Sequence, residues 1–186
     1  MKVKVCLVAL FIIGSVVTAF SQEPPAREVS AGYSFLREEF STNRHGWVAS
    51  YAENLNRWFG AKVELGGNYG DQGPIGRGDS HSIMAGPQFA FLRTSRITPW
   101  AHFLLGVNIL EQNTVVSVPI EPPRLVPFQF NQVHFAMQPG GGIDYWLGSK
   151  VGIRLGADYR RVVRGPSNDL DNFQLHAGVV FRFGSR

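Results

Sequence analysis

The groups in this sequence able to do chemistry are a few histidines, serines, arginines and carboxylates, and their spacing limits what they can do. His81-Ser82 sets an imidazole beside a hydroxyl, the first two parts of a base-activated nucleophile. The pair opens a segment of alternating polarity, where neighbouring residues face opposite sides. His81 is therefore expected not to orient Ser82, and no carboxylate at a suggestive spacing completes a triad. His102 and His176 have no second ligand at close metal-site spacing, so hydrogen bonding is expected of them rather than metal binding. Gly140–Gly142 and the glycines of GPIGRGDS, residues 73–80, precede no helix, so a phosphate cradle is not expected. Arg77-Gly78-Asp79 matches an adhesive tripeptide and falls in what reads as a polar surface loop, a composition that produces such short matches by itself. Arg160, Arg161 and Arg164 cluster where the last long connection begins. Guanidinium forks fit phosphate oxygens, so these three are candidates for contact with lipopolysaccharide, against the alternative of a solvated rim. No catalytic, cofactor-binding or metal-ligating set emerges. Neither enzyme chemistry nor a cofactor is expected.

The elements that must carry these residues follow from composition and periodicity. The chain has 186 residues, only 17% of them charged, with 14 Phe, 21 Gly and a single Cys. That is too much apolar and aromatic mass for disorder, and Cys6 has no partner for a disulfide. Mean hydropathy near zero, at −0.05, argues against a polytopic helical membrane protein. Residues 1–21 read as a secretory address: two lysines in MKVK, an apolar core, and the small-x-small ending Ala19-Phe20-Ser21. Removing it takes away Cys6, Lys2 and Lys4 and lowers the net charge from +4 to +2. The sequence pI of about 9.5 is then no argument for nucleic-acid binding. Residues 22–27 form a Pro-bearing lead-in, and 28–186 the folded domain.

From there the dominant period is two, the mark of half-buried strands. Val151, Ile153, Leu155, Ala157 and Tyr159 alternate with Gly152, Arg154, Gly156, Asp158 and Arg160, and 172–183 repeats the pattern. Eight such segments are expected, at about 28–36, 46–57, 61–70, 81–93, 98–110, 131–146, 150–160 and 171–183. Tight turns near 58–60, 94–97 and 147–149 alternate with longer polar connections at 37–45, 71–80, 111–130 and 161–170. This describes an all-β, eight-stranded antiparallel up-and-down transmembrane β-barrel. A soluble barrel would turn its apolar row inward. Here the polar row mixes glycine with charges of both signs, and outward aromatics gather near strand ends at Tyr33, Trp47, Tyr69, Tyr145, Tyr159, Phe181 and Phe183. The lumen is expected to hold a structural polar network of Glu28, Lys62, Glu64, His102, Asp144, Arg154, Asp158, His176 and Arg182, with Glu28 and Arg182 meeting across the closing seam. Glu53 falls on the lipid side near mid-strand, where a carboxylate is costly. A bulge at Ala52 that turns it inward is the expected remedy.

His176 to Phe183 has the form polar-x-Gly-x-x-apolar-x-aromatic and resembles the last-strand signal read by the bacterial outer-membrane assembly machinery, although Gly184-Ser185-Arg186 follows the aromatic. With GYSFL at 32–36, GWVASYAENLNRWFG at 46–60, TPWAHFLLG at 98–106, GGGID at 140–144 and LHAGVVFRFG at 175–184, the chain resembles the OmpA-like outer-membrane β-barrel domain family. The resemblance implies a barrel in the bacterial outer membrane, without the periplasmic peptidoglycan-binding domain of the longer members. It implies outer-membrane lipids, lipopolysaccharide and the assembly machinery as partners, and no nucleic acid. Its role is expected to be structural or loop-mediated around a plugged lumen. The alternatives are a narrow passive channel and a lipid A-modifying enzyme.

Overall fold

The structure is a computed structural model that describes residues 25–38, 43–71, 76–91, 95–118, 124–165 and 169–185. The expected address segment 1–21 lies outside the described residues. Eight strands, β1 (Pro25–Glu38), β2 (Asn43–Asn54), β3 (Phe59–Asp71), β4 (Gly76–Ala90), β5 (Ile97–Val118), β6 (Arg124–Trp146), β7 (Val151–Val163) and β8 (Leu170–Ser185), pair in sequence order and close on themselves. All eight ladders are antiparallel, including the β1–β8 seam. β1 begins inside the expected lead-in, because Pro25 and Arg27 are already paired with Ser185 and Phe183.

Alternation along each strand sorts the side chains into two solvents. Ile83, Phe135 and Leu155 are exposed on the outer wall at 51%, 49% and 48%, while Lys62, Glu64, Asp158 and Arg160 are almost completely enclosed. Outward aromatics fall into two zones, Trp58, Phe91, Tyr145, Phe181 and Phe183 toward the short turns and Tyr33, Trp47, Tyr159 and Phe173 toward the other rim, as amphipathic rings do at the two interfaces of a membrane barrel. Tyr69 is half-buried.

The seam closes through glycine. Gly32 and Gly178 are opposite one another, and a Cβ on Gly178 would come within 2.6 Å of the Gly32 Cα. Proline explains two interruptions elsewhere. The β4–β5 ladder skips Gly86 and Pro87, and the β6–β7 ladder skips Gln138 and Pro139. Each proline pairs on its other side, Pro87 with Ala61 and Pro139 with Phe103, so the missing N–H is turned toward the broken ladder.

The long polar connections expected from the sequence are largely strand. β1 and β2 are separated only by residues 39–42, β3 and β4 by 72–75, β5 and β6 by 119–123, and β7 and β8 by 164–169. The segment expected as the 111–130 loop is a continuation of β5 and β6, paired from Glu111↔Asn131 to Val118↔Arg124. The prolines misled the reading there: Pro119, Pro122, Pro123 and Pro127 punctuate the segment and interrupt the strict alternation by which a strand is recognised. Arg77-Gly78-Asp79 is likewise strand, paired with Asp71, Gly70 and Tyr69 of β3, and not a loop.

The bulge expected at Ala52 does not exist. The β2–β3 register runs unbroken from His45↔Tyr69 to Asn54↔Gly60, and Glu53 faces outward between buried Ala52 and Asn54. β2 ends at Asn54 instead of residue 57, because the Asn56 side-chain oxygen accepts from the backbone N–H groups of Trp58 and Phe59 and makes the turn. Glu53 therefore sits at the rim rather than mid-strand. There it receives Tyr51 Oη–H at 2.5 Å and Arg27 Nε–H at 3.3 Å.

Candidate functional site

The lumen is where the structure concentrates its chemistry. Toward the short-turn rim, Arg154 on β7 donates from Nε and Nη2 to the Asp144 carboxylate of β6 at 2.8 and 2.7 Å. Nη2 also reaches Glu28 on β1 at 3.0 Å, and Asn54 donates to the second Glu28 oxygen at 3.0 Å. Trp100 Nε1–H donates to Asp144 at 3.1 Å. Its ring lies 5.2 Å from the Arg154 guanidinium and 5.0 Å from the Lys62 ammonium, and stacks on His102 at 5.3 Å. Trp100 thus walls this cluster from the next with a face that attracts cations.

The mid-barrel cluster is a continuous polar net. Lys62 Nζ lies 2.7 Å from Glu64 and 3.1 Å from His102 Nδ1. His102 Nε2 and His176 Nε2 approach the two oxygens of Asp158 at 3.1 and 3.4 Å. Gln138 donates to Glu64 at 2.7 Å and accepts from Arg160 Nε at 2.7 Å, and Arg160 Nη2 donates to Gln174 at 2.5 Å. The wall makes room through glycine: a Cβ on Gly140 would collide with the Asp158 carboxylate, and one on Gly156 with the His176 ring. Met84, Leu104, Leu110, Ala136, Val162 and Leu170 pack as one buried apolar cluster, with Met84 paired to Glu64 and Leu104 to Gln138 across the ladders. The inward row toward the loop end also buries Arg44, Asn68, Ser80, Asn108 and Asn172.

Of the nine residues expected in the lumen, Glu28, Lys62, Glu64, His102, Asp144, Arg154, Asp158 and His176 are buried inside the wall, and Arg182 is half-buried. Glu28 and Arg182 are direct cross-strand partners at the seam. Arg182 also donates to the Ser149 carbonyl at 2.7 Å and lies 4.0 Å over the Trp146 ring. Arg160 does not belong with a rim cluster. It is completely buried in mid-net, because β7 runs on to Val163 and Arg160 shares the inward parity of Arg154 and Asp158. Arg161 stays exposed and pairs with Asp169 at 2.9 Å, while Arg164 is half-buried and gives its backbone N–H to the same carboxylate. Hydrogen bonds from Arg161 and the Arg164 backbone hold the Asp169 carboxyl below its usual range. His81 and Ser82 face opposite sides, His81 edge-on to Tyr69 and Ser82 inward. Among the described residues no group of three or more His, Cys, Asp or Glu converges as metal ligands.

The polar face read from the sequence already includes Gln174, but the other uncharged members of the net, Gln138, Asn54 and Trp100, were missed although their inward parity was available. Also missed was the apolar cluster, where Met84 and Leu104 take inward positions beside polar ones.

No family model and no curated protein sequence matches the chain. Solved structures do. Neisserial surface protein A aligns over 84% of this chain and 96% of its own at 14% identity and a TM-score of 0.64. The outer membrane protein OprG of Pseudomonas aeruginosa aligns over 88% and 98% at 12% identity and 0.61. Ail, the attachment invasion locus protein of Yersinia pestis, aligns over 87% and 99% at 14% identity and 0.56. The fold is that of a small eight-stranded outer-membrane barrel.

Proposed function

We propose that this chain is a bacterial outer-membrane β-barrel that conducts nothing, catalyses nothing, and acts through the end of the barrel bearing the extended β5 and β6 strands. The carrying observation is the mid-barrel net. Eight strands enclose a lumen that side chains can fill, and here Lys62, Glu64, Gln138, Arg160 and Gln174 bond to one another across it. An apolar wall invites lipid outside, and its aromatic zones fit two interfaces. Residues 1–21 would direct export and be removed, leaving Gln22 as the first residue, which intact mass of the membrane-extracted protein tests. Outer-membrane lipids, including lipopolysaccharide phosphates near Arg161 and Arg164, and the assembly machinery reading His176–Phe183 are the partners that follow. No cofactor is required.

Planar-bilayer recording of the refolded protein is the direct test. A silent membrane is expected; discrete current steps would replace the plug with the narrow-channel reading. An altered lipid A mass on expression would replace it with the enzyme reading.

A further inference from the structure

Toward the short turns the outer wall is apolar and aromatic except at one place. Among the described residues, Arg27 on β1 and Glu53 on β2 are the only charged residues at outward strand positions in that half of the wall. They are direct cross-strand partners. Arg27 Nε lies 3.3 Å from Glu53 Oε2, and the two side chains remain 53% and 34% exposed. Tyr51 Oη–H donates to the same carboxylate oxygen and fixes its direction. Phe183 flanks Arg27 on β8, and Ala61, with little side chain, flanks Glu53 on β3. One step nearer the middle of the barrel, Phe181, Val29, Tyr51 and Val63 form an exposed apolar row across the same strands.

Stability does not call for this pair. Exposed ion pairs contribute little, and aromatic residues like those at the neighbouring girdle positions suit an interface as well. The charges make sense as a pair of contacts for something in the lipid. A guanidinium has more N–H donors than one carboxylate can use, and its fork matches phosphate oxygens. The carboxylate beside it only accepts hydrogen bonds, and it repels a phosphate that brings no cation of its own. Opposite charges on adjacent strands, about 4.8 Å apart, therefore complement a headgroup in which a short bridge joins a phosphate to an ammonium. We propose that Arg27 and Glu53 form a binding site for an ethanolamine phospholipid, with the phosphate on Arg27, the ammonium on Glu53 and the acyl chains along the row from Phe181 to Val63.

The two-point contact sets the selectivity. A choline headgroup surrounds its charge with methyl groups and offers Glu53 no N–H. A glycerol headgroup brings the phosphate alone and meets the carboxylate as a like charge. The short turns are periplasmic in barrels of this kind, so the site faces the periplasmic leaflet. The inference rests on the outer-membrane reading, which puts the pair at a lipid interface. It is read from lipid selection and not from current, so the two fail separately.

The test is native mass spectrometry of the folded protein released from vesicles of equal parts ethanolamine, choline and glycerol phospholipid with identical acyl chains. One ethanolamine lipid is expected to stay bound in about fivefold excess over either competitor, the upper worth of an exposed ion pair. Glu53→Gln is expected to abolish the preference for ethanolamine over choline. Arg27→Gln is expected to lower retention of the ethanolamine lipid by about the same factor. Both substitutions lie outside the lumen, and heat-modifiability checks that the variants fold; the comparison of lipids on the unaltered protein stands without them. No retained lipid, or equal retention of all three, overturns the proposal and leaves the pair closed on itself. So does a preference that survives Glu53→Gln, which would place the lipid elsewhere on the wall. Preferential retention of the glycerol lipid would reduce the site to Arg27 alone and overturn the ethanolamine assignment.

Discussion

Lys62 is enclosed by the barrel with Glu64 at 2.7 Å, His102 at 3.1 Å and the Trp100 face at 5.0 Å, and every one of these contacts uses its charge. Lys62→Met keeps the length of the side chain but takes away the ammonium 2.7 Å from Glu64, leaving its carboxylate enclosed with the Gln138 hydrogen bond and no direct ion-pair partner among the described contacts. Breaking one partner of a buried pair costs about 3–5 kcal/mol, so the urea midpoint of the variant in lipid vesicles should fall sharply. Lys62→Met with Glu64→Gln removes the stranded charge and is expected to recover much of that loss. Asp169 is the surface counterpart. Its folded carboxyl titrates below the unfolded one because Arg161 and the Arg164 backbone bind the charged form. The stabilisation is therefore present above the unfolded pKa and disappears as pH falls through the folded value. Carboxyl NMR should show Asp169 titrating low in the native protein and returning toward about 3.9 in Arg161→Gln. At this scale the charged inward residues were legible because alternation assigns a face as soon as a strand is recognised. For Arg160 parity points inward and proximity to a polar stretch points to the rim, and parity is the sound argument because β7 runs on to Val163.

At the scale of strands, the sequence carried the barrel segments well and their ends poorly. Alternation survives only where one face meets lipid and the other the lumen, so it locates the crossing part of each strand. Beyond it, hydrogen-bonded pairing continues without a hydrophobic pattern, and β5 and β6 run to Val118 and from Arg124 through residues that read as loop. Glu53 shows the converse error. A strand running to residue 57 puts a carboxylate near mid-strand and calls for a bulge, whereas Asn56 turns the chain and leaves Glu53 at the rim with Arg27 and Tyr51. Glycine marks where strands come closest. At the seam the obstacle to a Cβ on Gly178 is the backbone of Ala31 and Gly32 rather than a movable side chain. Gly178→Ala should therefore slow or reduce closure while Gly148→Ala, with open space around its Cβ, should not. The fraction of heat-modifiable folded barrel after refolding into vesicles measures the difference.

For the whole molecule, two groups of enclosed side chains support the plugged-lumen proposal: the polar net around Arg160 and the apolar cluster of Met84, Leu104, Leu110, Ala136, Val162 and Leu170. They would stop ions differently. Side chains that are mutually hydrogen-bonded fill the first, and removing one leaves a polar void that water can occupy. The second offers an ion no replacement for its hydration, the condition under which an apolar constriction stops conduction by excluding water. Opening the net alone should therefore leave the barrel electrically silent. Arg160→Ala is expected to lower stability by leaving Gln138 and Gln174 without their shared donor, yet to give no current steps in a planar bilayer. Adding Met84→Ala and Leu104→Ala thins the apolar layer on the β4–β5 side, and this triple variant is the one expected to show small discrete openings. Steps from Arg160→Ala by itself would mean that the apolar cluster does not span the path and that the net is the sole plug. A folded but silent triple variant would mean that the remaining side chains still fill the lumen without either layer.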